Sequence, residues 1–212
     1  QDLDIPVIVA AGNDYFKYQQ EGMGYPAILR ECLSVGAVYD AAEGSFSYGS
    51  GATAFSSKPD QITPFSQRLS YKRNPLGCTD IFAPGAPITS SGISNDNGES
   101  VQHGTSQATP VVSGVVLLMQ EHFRRVTGRL PPVALLRQCL RVGGAVIEDG
   151  DDEDDNVVHT ERKYRRVEAL QALHAVNKQL ARSLLLRGPL RQVGASEELG
   201  VDLAAQDHLI ER

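Results

Sequence analysis

Residues 5–11 read IPVIVAA, a near-continuous apolar run ended by Gly12 and Asn13. A short run without polar alternation predicts a strand buried on both faces, as in a parallel sheet. Residues 32–38 (CLSVGAV) predict a second such strand. The polar stretch 14–24 between them, followed by Tyr25 and Pro26, has the composition of a surface loop that could line a cleft. Residues 40–59, rich in Gly, Ser and Ala, predict turns and short edge strands. Residues 62–65 and 80–83 predict two further short strands, the second closed by Pro84 and Gly85.

The helical period dominates from Thr105 or Ser106 to about Thr127, where Val111, Val112, Val115, Leu118, Met119 and Phe123 recur at helical spacing. Gly128 stands where such a helix ends. Pro110 is placed in the first turn, where a missing N–H costs nothing. Residues 132–141 predict a second amphipathic helix, stopped by Gly143 and Gly144. Residues 166 to about 186 predict a third, with Leu170, Leu173, Val176 and Leu180 on one face. Between these two lies EDGDDEDD, residues 148–155, whose like charges repel and disfavour regular structure. The run reads as a solvated loop. Calcium ligation by paired carboxylates is the sharper reading, but the D-x-D-x-D-G-x5-E loop pattern is lacking. From about residue 188 to 212 the chain is polar with scattered Leu and Ala, room for one more helix and no chemistry.

Composition narrows the class. With 212 residues, 41% hydrophobic and 22% charged, the chain has the make-up of one globular domain with an appendage. Tryptophan is absent, whereas 20 Gly and 11 Pro predict tight turns and small-residue packing, a style that suits an α/β protein. A net charge of -6 with no basic stripe argues against a nucleic-acid surface. No apolar run approaches the roughly 20 residues of a membrane helix. Cys32, Cys78 and Cys139 lie far apart with no Cys-x-x-Cys spacing, which disfavours zinc ligation and a dense disulfide framework. They read as free and partly buried thiols, with a single bridge left open. The start at Gln1, without Met or a basic segment leading into an apolar one, predicts a piece of a larger protein.

The chemistry concentrates at the start of the long helix, in GTSQATP, residues 104–110. A serine at Ser106 meets the positive end of the helix dipole and free backbone N–H groups. Gly104 and Ala108 keep its neighbourhood small, so a substrate backbone could approach. Alone, such a serine reads more readily as a helix cap, which only accepts a backbone hydrogen bond. Asn13 ends the first strand, at the carboxyl edge where open parallel sheets place functional groups. Its amide there could donate to the oxyanion of a tetrahedral intermediate, or simply form a turn.

Together these segments resemble the subtilisin-like serine proteases, the subtilases. GTSQATP is similar to that family's nucleophile motif, its serine matching Ser106, and VAAGN (9–13) to its oxyanion motif, its asparagine matching Asn13. Gly24-Tyr25-Pro26, LSVGAV (33–38), FAPG (82–85) and RVEALQAL (166–173) follow in the family's order, so the likeness covers about residues 5 to 178. The resemblance implies a three-layer α/β fold with a mainly parallel sheet, its N-terminal part missing. It implies a partial catalytic domain over 1–178 with a helical or flexible extension over 179–212. It also implies a serine endopeptidase acting on polypeptides through an acyl-enzyme on Ser106, with Asn13 as oxyanion donor. Ala10, Ala11, Gly12, Gly24 and Thr105 would bind substrate, and the small residues among them imply a roomy pocket for large or apolar side chains. Calcium and secretion are implied by the family alone, and no residue is assigned to a metal.

A serine needs a base and a carboxylate that orients it. In subtilases both precede the serine, yet Asp-[Ser/Thr]-Gly and His-Gly-Thr-His occur nowhere in this sequence. His103 would have to fold back to reach Ser106 and reads as a cleft-wall residue. His122, His159, His174 and His208 read as surface or packing residues. The chain alone is therefore expected to hydrolyse peptides negligibly and to depend on the missing half of its domain. Two alternatives stand beside this reading: a non-catalytic relative that keeps the fold for binding, and a weaker one, an esterase without the G-x-S-x-G elbow.

Overall fold

The computed structural model describes residues 3–186. The tail from 187 onward, including His208 and most of the expected 179–212 extension, lies outside the described residues.

The two apolar runs pair as parallel neighbours, β1 (Val7–Ala10) and β2 (Cys32–Tyr39), in register Val7 to Cys32. β2 pairs in parallel with β5 (Ile81–Ala86), which pairs in parallel with β9 (Lys163–Arg166). β8 (Ala145–Glu148) closes the other edge antiparallel to β9, giving the order β1-β2-β5-β9-β8. The chain is thus a mixed α/β protein with a mainly parallel central sheet.

β2 is buried along its whole length. β1 departs from the expectation of two buried faces: it is the edge strand, and Val7 is 50% exposed. An edge strand has one hydrogen-bonding neighbour, so its apolar run alone does not bury it. Two short hairpins pair separately, β3 (Phe46–Ser47) with β4 (Thr53–Ala54) and β6 (Ile88–Ser91) with β7 (Glu99–Gln102). The strand expected at 62–65 is only a bridge between Ile62 and Val38. The loop at 14–24 contains a single-turn helix, α1 (Tyr15–Tyr18).

The long helix α2 spans Thr105–Thr127 and ends on Gly128, whose φ of 76° is the left-handed cap that glycine adopts without strain. Its buried face is Thr105, Ala108, Val112, Val115, Val116, Met119 and Phe123. Val111 and Leu118, expected on that face, are exposed. Pro110 is the sixth helical residue and not in the first turn, so it withholds the N–H that would bond the Ser106 carbonyl. α2 packs with α3 (Val133–Gly143) and α4 (Ala169–Leu186) against Leu33, Val35, Ala37, Ile81 and Ala83 of the sheet. The alternate residues Val38 and Phe82 point the other way, to Ile62, Ile147 and Tyr164. α4 starts three residues later than expected because Arg166 belongs to β9, and Ala172, Val176 and Leu180 form its buried face while Leu170 is exposed. Cys32, Cys78 and Cys139 are free and buried.

Candidate active site

β1 and β2 fix the site by ordinary parallel pairing. Ala11, just past β1, donates to the Val35 carbonyl at 2.9 Å, so the chain leaves the sheet only at Gly12. Gly12 has a φ of +114°, and a Cβ there would stand 2.0 Å from Gln67 Oε1, so the turn requires glycine on both counts. The turn delivers Asn13 to the start of α2. Asn13 Oδ1 accepts from the Thr105 backbone N–H and from the Thr105 hydroxyl, each at 2.9 Å. A backbone N–H can only donate, so this contact settles which amide atom is the oxygen and turns Nδ2 away from Thr105.

Thr105 is fully buried, and its hydroxyl also accepts from Gly12 N–H at 3.2 Å. The hydroxyl of this residue, expected among those that bind substrate, is engaged internally and holds Asn13. Ser106, the next residue, is exposed as the second residue of α2, where its N–H has no intrahelical acceptor. β5 supports this start from below. The Gly85 carbonyl accepts from Gly104 N–H at 2.9 Å, and a Cβ on Gly85 would come within 2.7 Å of the Gly104 carbonyl oxygen. A Cβ on Gly104 would in turn lie 3.2 Å from Asn13 Nδ2. The three segments VAAGN, FAPG and GTSQATP therefore meet at one point, where Asn13 and Ser106 are both exposed.

Ala10 and Gly24 are half-buried and Ala11 is buried, with Gly24 N–H donating to the Ala11 carbonyl at 2.8 Å. Gln67 was not legible as a site residue. Its N–H donates to the Gly12 carbonyl at 2.8 Å, and its side-chain oxygen lies 3.8 Å from where a Cβ of Gly24 would be. A carboxamide thus occupies the space between the two glycines expected to leave the pocket roomy. Next to it, the Arg68 guanidinium lies 3.5 Å over the Tyr15 ring and donates to Asp149 Oδ2 at 2.8 Å. This buried ion pair stands beneath the segment that carries Asn13.

His103 packs its ring against Phe46 and Tyr48, at 5.2 and 5.5 Å between centroids, and burial lowers its pKa. His122 meets Asn177 at 2.6 Å on the surface. His159, expected to be a surface or packing residue, is half-buried against Asp155 at 3.1 Å. The acidic run is only in part a solvated loop: Asp151, Asp152 and Asp154 are exposed, whereas Asp149 is buried and Glu153 and Asp155 are half-buried. Two groups there have ligand atoms close enough for one ion, Asp149 with Glu153 and His159, and Asp151 with Asp152 and Glu153. No helix among the described residues is long and apolar enough to cross a membrane.

A parallel-sheet α/β domain with a serine opening its central helix, beside an asparagine leaving the neighbouring strand, is the build of a subtilisin-type domain. The profile of the subtilase family, peptidase S8, matches residues 1–141, and the chain belongs to that family. The solved prenylagaramide maturation protease PagA is 25% identical, with a TM-score of 0.54 over 82% of this chain and 51% of that one. The patellamide maturation protease PatA is 25% identical, with a TM-score of 0.55 over 82% of this chain and 52% of that one. The PatG macrocyclase in complex with peptide shares the fold at 19% identity, with a TM-score of 0.52 over 81% of this chain and 43% of that one. The chain thus spans about half the length of the maturation proteases it matches.

Proposed function

We propose that this chain supplies the nucleophile and the oxyanion site of a serine endopeptidase, with Ser106 attacking the peptide carbonyl and the Asn13 amide stabilising the resulting oxyanion. The observation that carries the reading is the pair of hydrogen bonds from Thr105 to Asn13 Oδ1, which leaves Nδ2 as a donor beside Ser106. Ser106 Oγ forms a bond to the carbonyl carbon as its proton passes to a histidine base, and the carbonyl π electrons move onto oxygen. Asn13 Nδ2 and the Ser106 N–H donate to that oxygen, in preorganised positions at the positive end of α2. Collapse expels the amine, protonated by the base, and water then releases the acyl group. The base and its orienting aspartate come from a preceding segment, because His103 is packed among Phe46 and Tyr48 and the expected Asp and His motifs do not occur here.

The substrate is a polypeptide bound along the edge formed by Ala10, Ala11, Gly12 and Gly24. The test is a fluorophosphonate probe. The product of the reading frame extended upstream of Gln1 is expected to be labelled at Ser106, and its Ser106→Ala variant to stay unlabelled. The chain of 212 residues alone is expected to react at no more than the rate of an ordinary serine. Failure of the extended product to be labelled would favour a non-catalytic relative that uses this surface for binding.

A further inference from the structure

The acidic loop after β8 contains a polar atom that the rest of the fold does not answer. Asp149 is buried, and its Oδ2 accepts from Arg68 Nε at 2.8 Å and from Thr160 N–H at 2.7 Å. Its Oδ1 is also buried and meets no hydrogen-bond partner. A buried carboxylate oxygen left bare forfeits its hydration without return, so such an atom calls for a ligand.

The surroundings specify one. A carboxylate oxygen of Asp149, one of Glu153 and a ring nitrogen of His159 lie within 4.8 Å of one another. Two donors on one ion are separated by at most twice the bond length, so this spread suits bonds of about 2.0–2.4 Å. Glu153 accepts from Gly150 N–H through Oε2 at 2.6 Å and from Ile62 N–H through Oε1 at 3.1 Å, which fixes its carboxylate and leaves a lone pair on each oxygen. His159 Nε2 is turned to Asp155 Oδ1 at 3.1 Å, so Nδ1 is the nitrogen left to ligate. A carboxylate that orients an imidazole from its far side is the usual outer partner of a metal-bound histidine. The charge is also one-sided: Asp149, Glu153 and Asp155 converge here, and Arg68 pairs with the first of them.

We propose that Asp149, Glu153 and His159 bind a divalent transition-metal ion, zinc being the best fit. An imidazole with carboxylates favours zinc over calcium, which prefers oxygen donors throughout. The ion would tie the acidic loop to Ile62 and, through Arg68 and the Tyr15 hydroxyl bonded to the Val158 carbonyl at 2.8 Å, to the segment after Asn13.

The test is calorimetric titration of the chelator-stripped protein with zinc chloride and, separately, calcium chloride, with thermal denaturation alongside. Neither readout depends on Ser106. One zinc per chain is expected, with a higher Tm and weaker binding of calcium. Binding should weaken at least tenfold in both His159→Ala and Glu153→Gln, and stay within about threefold in Asp151→Asn and Asp152→Asn, which remove the exposed carboxylates next door. The unliganded melting of each variant identifies one that fails to fold, and the other then decides. Absence of zinc binding, tighter binding of calcium, or zinc binding that survives both His159→Ala and Glu153→Gln would overturn the assignment.

Discussion

Asn13 and Thr105, 92 positions apart, are joined twice: the Asn13 side-chain oxygen accepts from both the backbone N–H and the hydroxyl of Thr105, each at 2.9 Å. The same hydroxyl accepts from Gly12 N–H, so one buried threonine holds the strand exit and the amide orientation together. Thr105→Val keeps the shape and removes the hydroxyl, which leaves the Gly12 N–H without its acceptor. A stability loss of about 1–3 kcal/mol is expected in urea denaturation. In the active enzyme kcat should fall with KM nearly unchanged, because the oxyanion donor loosens while the substrate surface remains. An unchanged kcat would mean that the backbone N–H alone orients Asn13.

Substitution of Asn13 itself should cost more. Asn13→Ala removes the donor, and the expected fall in kcat is about 100- to 1,000-fold, the range known for subtilisin's own oxyanion asparagine and carried over from it. Asn13→Asp keeps the size and the contact with Thr105 but presents an oxygen where the amide donated. It should be at least as damaging, through repulsion of the developing negative charge. Steady-state kinetics on a peptide substrate separates the two roles, since a residue that only shapes the turn would tolerate Asp far better than Ala.

The parts legible in the sequence were those set by local pattern. β2 and α2 emerge where continuous apolar character and helical spacing place them, and Gly128 ends α2 because only local backbone geometry is involved. Short antiparallel pairs such as β8 with β9 depend on partners far along the chain, and KYRR has no apolar alternation to announce a strand. The same limit hid Gln67 and Arg68. Nothing in FSQR marks a carboxamide destined for Gly12 or a guanidinium destined for Asp149, because both roles are created by contacts across the fold. In the acidic run the sequence shows the repelling signs but not the backbone N–H groups that anchor Asp149 and Glu153.

The Arg68 and Asp149 pair is almost wholly removed from water, with side-chain exposures of 1% and 0%. Removal of one partner leaves an uncompensated buried charge, so Asp149→Ala is expected to lose about 3–5 kcal/mol. The double variant Arg68→Met with Asp149→Leu should be more stable than Asp149→Ala, because neither charge is then stranded. Urea midpoints measured in chelator check this without any contribution from a bound ion. A double variant less stable than the single one would show that the cation over the Tyr15 ring matters more than the pairing.

The three thiols should be silent until the protein unfolds. Burial pushes Cys78 up to about 11 and Cys139 up to about 12, and raises Cys32 as well. An unfolded thiol ionises near 8.5, so at higher pH the unfolded state sheds protons that the folded state keeps. Stability is therefore fully present below about pH 8.5 and declines as pH rises through the folded values. Iodoacetamide at pH 8 should modify the native protein slowly and the urea-unfolded protein at all three positions, counted by mass spectrometry.

Gln67 should set the preference for the residue before the cleaved bond. Small residues at Ala11, Gly12 and Gly24 would by themselves leave a pocket for a large apolar side chain, yet the Gln67 side-chain oxygen lies between the two glycines, and its residue is only 8% exposed. A carboxamide in that position offers both a donor and an acceptor to a polar side chain, and an apolar one would strip its hydration without return. Gln67→Ala is expected to raise kcat/KM for a substrate with Phe at that position relative to one with Gln by about tenfold, near the 1.4 kcal/mol worth of one hydrogen bond. The Gly12 carbonyl keeps its bond to the backbone N–H of residue 67 in that variant, so the turn carrying Asn13 should be unaltered. Paired substrates that differ only at that side chain measure the ratio. A ratio that does not move would place the pocket elsewhere along the edge of β1.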